Sequence, residues 1–580
     1  MSPALKLRLP AIYCAIALLF CAFVSYPVAD IGMGDDWSYI ESARVLAQTG
    51  HVVYNGWAAA MLGWQLLLGA VFAKLFGPSF TAIRSSTLLV ALATAFLSHR
   101  TLVRAGISSR SACVGTLCLV LSPLFVPLAL SFMTDVGGLF CILLCFYACL
   151  RALQAATNRA AMGWLIFAGL SNTIGGTIRQ IAWLGVLAMV PSAIWLLKRR
   201  PFIVPVGAAL YAACTAFIFW SRIWFARQPY SVPQSLIPGD FGLNSIFGAF
   251  ALMLISFFSV ATFLLPVLVA FVPFISKRKL RAGFLIFGGI ACAAIAFSVW
   301  HGPSPIFESF LAPFPGNYVS ARGMLDGTSI KGMRPSVLPA WVRIVLTLTV
   351  IGALHCLWAF LSTDRPAATS RQKPADVSSK SLMILLFPFS IAYFVLLLPT
   401  GLTVGFFDRY LLPFLFFGIL FLLRLFEERT RAQLPALSVI LTVVFAFYAV
   451  AGTHDAFSMF RAEAAAFAEL RAAGIPATAI DGGFEQNSMT QIRQFGYMND
   501  PRIRVPSMVF VEVAANFPKG CEPQLALLTP AVVPGYALSF DPNACMGLSH
   551  FAPVIYHNWL GPHSVNVYIV NTAQDAPRKQ

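Results

Sequence analysis

Five side chains in this chain have the types and placement to do chemistry together. Asp35 and Asp36 are adjacent in Gly34-Asp35-Asp36-Trp37-Ser38-Tyr39-Ile40-Glu41, directly after the first long apolar segment. Asp135 ends Ser131-Phe132-Met133-Thr134-Asp135, at the start of a later apolar run. Arg179, in Arg179-Gln180, interrupts what would otherwise be a hairpin of two spans, and Arg409 opens another in Phe407-Asp408-Arg409-Tyr410-Leu411-Leu412-Pro413. Desolvation disfavours the charged form of a carboxylate at a membrane edge, which makes it a better base unless a cation or metal pairs with it. A guanidinium matches phosphate geometry and can grip it with two hydrogen bonds. Acids and arginines on one membrane surface therefore suit a reaction on a membrane-anchored phosphate ester.

Blander roles compete for the same residues. Asp35 or Asp36 can cap a helix running to about Gln48 and stopped by Gly50, and Ser38-x-x-Glu41 reads as a capping box. Asp135 can cap the helix it begins, and Arg409 can snorkel or pair with Asp408. Trp37, Trp57 and Trp64 read as interfacial anchors, one of them free to stack on a sugar.

The elements that position these groups are membrane spans. The 580 residues are 58% apolar and 11% charged, against about 25% charged in soluble domains, and mean hydropathy is +0.77. Apolar runs of span length recur from residue 10 to residue 452. This predicts an all-α polytopic membrane bundle and excludes a barrel of short alternating strands. The net charge of +17 does not indicate nucleic acid, because basic residues gather in loops on one side, as the positive-inside rule requires.

That rule also sets the topology. Residues 10–29 form an uncleaved first span with a cytoplasmic amino terminus, leaving Asp35 and Asp36 outside. The run 59–77 must stay outside as an interfacial or re-entrant helix, so that basic residues 99–110 reach the cytoplasm after the run 81–98. Alternation then continues through 111–131, 135–150, 160–177, 181–197, 202–224, 245–275, 282–300, 341–361, 381–399, 409–426 and 434–452, giving about 13 spans. Residues 30–80 form a first outer loop with interfacial helices, and 301–340 a long one rich in Pro and Gly. The transmembrane domain is thus 1–452.

Residues 453–580 have soluble composition and predict a small extracytoplasmic α/β domain. Its expected elements are a helix over 456–473 and strands at 477–480, 525–528, 536–540 and 565–570. Ten of the twelve cysteines accompany apolar helices, while Cys521 and Cys545 form an isolated pair suited to a disulfide in an oxidising compartment. His51, His301 and His454 are scattered singly and read as surface residues.

The acidic elbow after the first span, Met133-Thr134-Asp135 before a later one, and the late Arg409-Tyr410-Leu411-Leu412-Pro413 together resemble the multi-spanning GT-C glycosyltransferases. The nearest likeness is to the bacterial branch related to protein O-mannosyltransferases and lipid A aminoarabinose transferases. It covers residues 10 to about 425, and the tail matches in position and size. The resemblance implies transfer of a sugar from a polyprenyl-phosphate carrier on the outer side of a bacterial cytoplasmic (inner) membrane, in the periplasm. Asp35 matches the family's first acid, Asp36 stands where Glu is common, and Asp135 matches the second acid. Arg409 and Tyr410 match the late Arg-Tyr. Arg179, with Gln180 beside it, lies where relatives face the lipid phosphate with a basic residue.

The implied mechanism is a single inverting displacement. Arg179 and Arg409 hold the phosphate, Asp35 deprotonates the acceptor, and Asp36 or Asp135 orients the acceptor or steadies the oxocarbenium-like centre. A divalent metal ion bridging Asp35 and Asp135 is an alternative use of the acids, although no His cluster accompanies them. The partners are membrane lipid, the polyprenyl-phosphate-linked sugar donor, and an envelope glycan, glycolipid or protein acceptor. A transporter or flippase of lipid-linked sugars is the rival reading. It would favour internal repeats and charges near the bilayer midplane, neither of which the sequence has.

Overall fold

The computed structural model describes residues 9–233, 255–274, 289, 311–313, 318–325, 330–362, 377–403, 407–430, 432–512, 517 and 520–572. Apolar runs must satisfy their backbone groups internally in lipid, so they become helices. In order these are α1 (Leu9–Val24), α2 (Asp36–Thr49), α3 (Gly63–Phe76), α4 (Phe80–Arg104), α5 (Ser109–Val120), α6 (Thr134–Leu153) and α7 (Asn158–Gly175). The broken helix Gln180–Leu196 and α8 (Ile203–Ala226) follow, then the bent pair Ile255–Phe263 and Leu265–Phe274. The later helices are α9 (Ala340–Leu361), α10 (Ser379–Thr403), α11 (Leu412–Thr430), α12 (Ala436–Ala472) and α13 (Phe484–Phe495).

Among the described residues, seven helices are long and apolar enough to cross a membrane, or eight if the bent pair is one span. The expected count of about 13 is not confirmed among the described residues. The run 111–131 yields the short α5, a turn and a five-residue helix at Phe125–Ala129, 181–197 is broken by a π-helical segment at Gly185–Met189, and all of 282–300 except residue 289 lies outside the described residues. Of 245–275 the bent pair over 255–274 is described. Side chains on α12 such as Ile440, Val443 and Phe447 are exposed, an apolar surface that water would not tolerate but lipid would.

Local signals start several helices. Ser79, Ser108 and Thr157 cap α4, α5 and α7 by accepting backbone N–H bonds from Ala82, Ser111 and Ala160. The run 59–77 forms α3, only 14 residues long. It buries Gln65, Leu66, Gly69, Ala70 and Ala73 against α2 and α4 and exposes Leu67, Val71 and Leu75. A helix of that length cannot cross the bilayer.

The tail departs from expectation in four ways. Residues 477–479 form a 3₁₀ turn, and the strand expected over 477–480 is only Ile480–Asp481. Residue 453 is not a break, because α12 runs through it for 37 residues. One glycine, Gly452, costs a helix only about 1 kcal/mol, and the polar residues after it lie against protein. Residues 525–528 are not a strand. Leu525 is left-handed at φ 56° and a 3₁₀ turn follows. Two elements were not expected: helix α13 and a strand at Val554–His557.

A hairpin in the long loop forms β1 (Val319–Ser320) and β2 (Gly323–Met324). The tail sheet contains β3 (Ile480–Asp481), β4 (Tyr536–Ser539), β5 (Val554–His557) and β6 (Ser564–Asn571) in the order β3-β4-β6-β5. β3 is parallel to β4, and the other pairs are antiparallel. Cys521 and Cys545 are joined by a disulfide. The domain sits on one end of the bundle. There Asp455 of α12 accepts backbone N–H bonds from Trp559 at 2.7 Å and Leu560 at 2.9 Å.

Candidate active site

The elbow, the start of α6, the turn before the broken helix and the turn before α11 meet beneath the domain. Arg409 is the hub. Its Nη2 donates to Asp35 Oδ2 at 2.9 Å, and its Nε lies 3.9 Å from Asp135 Oδ2. Arg179 donates to the other oxygen of Asp135. Tyr410 lies between the two cations, its ring 4.4 Å from the Arg179 guanidinium and 5.6 Å from that of Arg409. Four charged residues from sequence positions hundreds apart thus form one neutral cluster.

Its burial is graded. The Asp135 side chain is 2% exposed and that of Arg409 7%, but that of Asp35 is 25% exposed. Asp35 is therefore the more accessible carboxylate of the cluster. Its second oxygen accepts a hydrogen bond from the Trp57 indole at 3.0 Å.

A glycine permits the approach of the segment that carries Arg179. Segment 178–179 lies on the first turn of α6, and a Cβ at Gly137 would meet Ile178 Cδ1 at 2.3 Å. A Cβ at Gly138 would make only ordinary contact with Arg179, at 3.6 Å from its Cδ.

The capping roles are not taken. Asp35 precedes α2 but makes no side-chain cap bond, and Ser38 donates to Asn55 rather than closing a capping box. Asp408 does not pair with Arg409 through its side chain. It accepts backbone N–H bonds from Tyr318, Val319 and Arg409 at 2.8 to 3.1 Å, which clamps the long loop over the cluster.

Two expected site residues lie apart. Asp36 is fully buried and points away from Asp35. Arg84 of α4 grips it with Nε at 2.7 Å and Nη2 at 3.0 Å, and the backbone N–H groups of Met33 and Phe132 complete its shell. The same guanidinium donates to Ala29 and Ile31 carbonyls. Every strong contact of Asp36 is internal, so it has no capacity left for a substrate. Gln180 turns to the carbonyl of Ala59 at 3.3 Å. Trp37, expected at the interface, is fully buried.

Several residues here escaped the sequence reading. Arg84 had a signal, an isolated charge within an apolar run, which marks a partner inside the protein. Tyr39 and Tyr318 had none. Both are buried beside the cluster, and burial pushes their hydroxyls up from the usual tyrosine value. The negative charge of Asp35 adds to the effect at Tyr39, while Arg409 opposes it at both. The Tyr318 hydroxyl is buried beside the Ser131 side chain and makes no well-formed hydrogen bond among the described residues.

A hard cation would need a group of free oxygen ligands. Asp35 and Asp135 share a guanidinium instead, and among the described residues no group of three or more His, Cys, Asp and Glu could hold a metal. The donor set does not fit a bridging divalent ion. His454 stacks on Trp559 at 4.0 Å, and His301 lies outside the described residues.

No protein-family model matches the chain, and no curated protein sequence does. Solved structures do. ArnT from Cupriavidus metallidurans in the apo state is 15% identical, with 97% of each chain covered and a TM-score of 0.40. The same protein bound to undecaprenyl phosphate is 14% identical, with 98% of this chain and 99% of that one covered and a TM-score of 0.38. The protein O-mannosyltransferase Pmt1-Pmt2 complex of S. cerevisiae bound to the sugar donor is 15% identical, with 39% of this chain and 34% of that one covered and a TM-score of 0.32.

Proposed function

We propose that this protein is a glycosyltransferase. It moves a sugar from a polyprenyl-phosphate carrier to a hydroxyl of an envelope glycan, glycolipid or protein, at the outer face of a bacterial cytoplasmic membrane. One observation carries the reading: Arg409 is shared by Asp35 and Asp135 while Arg179 holds Asp135 from the other side.

Such a cluster is neutral without substrate and is primed for an anion. The donor phosphate competes for Arg179 and Arg409, which then offset the charge growing on the leaving group. Asp35, drawn less tightly by Arg409, accepts the proton of the acceptor hydroxyl. The acceptor oxygen bonds to the anomeric carbon from the face opposite the phosphate. The bond from that carbon to the phosphate oxygen breaks, releasing polyprenyl phosphate, and configuration inverts. Asp135, the most buried acid of the cluster, remains as a fixed anion beside the oxocarbenium-like centre. Asp36 serves the fold.

The test uses the full chain in vesicles with a labelled polyprenyl-phosphate sugar and a membrane extract as acceptor. Formation of a labelled glycoside that Asp35→Asn and Asp135→Asn each abolish supports the reading. Transfer that survives both substitutions refutes it, as does movement of the label across the membrane with no glycoside formed. Comparing envelope glycans by mass with and without the protein identifies sugar and acceptor.

A further inference from the structure

Residues 54–57 lie between the elbow helix and the C-terminal domain. On the elbow side, Asn55 and Ser38 bond each other twice. Ser38 Oγ donates to Asn55 Oδ1 at 2.7 Å, and Asn55 Nδ2 donates to the Ser38 carbonyl at 2.9 Å. On the domain side, the Met498 N–H donates to the Asn55 carbonyl at 2.8 Å. Gly56 is left-handed at φ 84°, and a Cβ there would meet Ile503 Cδ1 at 2.8 Å and the Met498 carbonyl at 3.1 Å. Only glycine allows this close an approach of the domain.

The next residue is Trp57, the indole donor to Asp35. Its ring lies 4.9 Å from that of Phe484 and 5.9 Å from that of Trp37. Phe484 is the first residue of α13, and the turn before it is anchored. Asp481 accepts from Asn487 Nδ2 at 2.7 Å and from the Gly483 N–H at 3.2 Å. Its other oxygen lies 3.5 Å from Lys331 Nζ. Lys331 belongs to the same long loop whose hairpin Asp408 clamps. A closed circuit therefore runs from Asp408 through the loop and α13 to Trp57 and Asp35, and returns to Arg409.

We infer that the C-terminal domain completes the active centre. By fixing residues 54–57 and packing the Trp57 ring against Phe484 and Trp37, which also touch each other, it aims the indole N–H at Asp35. Trp57 and Phe484 are thus positioning residues for that carboxylate. This rests on Asp35 being the base of the proposed transfer. Of its two side-chain donors, Arg409 is the one that an incoming phosphate attracts. The neutral Trp57 N–H then sets how Asp35 faces the acceptor.

The experiment measures transfer kinetics and pH–rate profiles of the full chain in vesicles, for wild type and for Asp35→Asn, Trp57→Phe, Phe484→Ala and Phe484→Tyr. Trp57→Phe is expected to lower kcat about 10- to 100-fold, the scale of a small misplacement of a reacting group. KM for the donor should change little. The acidic limb of the profile should move to higher pH, because the charged form of Asp35 loses a hydrogen bond. Phe484→Ala should shift kcat and the limb the same way but less, and Phe484→Tyr should restore both. If Phe484→Ala does not fold, Phe484→Leu takes its place. Wild-type kcat and an unmoved limb in Trp57→Phe and Phe484→Ala, with Asp35→Asn inactive, overturn the inference and leave the transferase reading standing. Full activity in Asp35→Asn overturns the transferase reading itself, and the positioning role with it.

Discussion

Asp35 and Asp36 are neighbours in sequence and opposites in use. Asp36 faces the protein interior, where Arg84 grips both its oxygens and spends its remaining donors on backbone carbonyls. Asp35 is partly exposed and takes one N–H from a guanidinium that is also close to Asp135. Successive residues on a helix point about 100° apart, so two adjacent acids at a helix start cannot serve one site. The lesson concerns saturation. A buried ion pair with every donor and acceptor used is a structural clamp, whereas a shared and partly exposed pair can exchange partners.

Substitutions can break this contrast. Asp35→Asn should cost the most, about 10²- to 10⁴-fold in transfer rate, as expected for loss of a general base. The thermal midpoint in detergent should hold near the wild-type value. A parallel loss of stability would put Asp35 in the same class as Asp36. Arg84→Ala should do the reverse, destabilising the fold by about 3 to 5 kcal/mol because it strands a buried charge. The readout is thermal unfolding and yield, and an Arg84→Ala protein with normal stability would end the clamp assignment.

Smaller effects sharpen the picture. Asp408→Ala leaves buried backbone N–H groups of the long loop unpaired, at a cost of about 1 to 3 kcal/mol. Limited proteolysis near residue 318 should accelerate and KM for the donor should rise, whereas unchanged cleavage would show that the loop is held elsewhere. Tyr318→Phe should be the mildest for stability, since its hydroxyl loses at most a loose contact with the Ser131 side chain. If that hydroxyl meets substrate, transfer should still fall by roughly the 0.5 to 1.5 kcal/mol of one hydrogen bond. Wild-type kinetics would show that it does not.

Much of the architecture was legible because it depends on local patterns. Apolar run length marked the helices, and charge alternation kept 59–77 from being counted as a span. The composition change marked the tail, and its isolated cysteines marked the disulfide. Strands β4 and β6 were readable as short strand-like apolar runs. The run at 525–528 was not, since four apolar residues fit a strand or a 3₁₀ turn equally well. Helix α13 was missed because its residues are polar on average and much of its buried face is polar (Asn487, Ser488, Thr490, Gln491), so its burial is set by the elbow beneath it rather than by apolar content.

The amino-acid sequence alone determined the class of molecule, a helical membrane bundle with an appended α/β domain, and the short roster of acids and arginines able to act on a phosphate ester. These follow from hydropathy, spacing and side-chain chemistry, which are properties of segments. Tertiary structure alone decided that Arg409 joins Asp35 to Asp135, that Arg84 removes Asp36, and that Trp57 and Phe484 come beside Asp35. The physical reason is distance along the chain. Partners such as Arg409 and Asp35, 374 positions apart, meet only after packing, and the energy of a charge depends on which partner it meets.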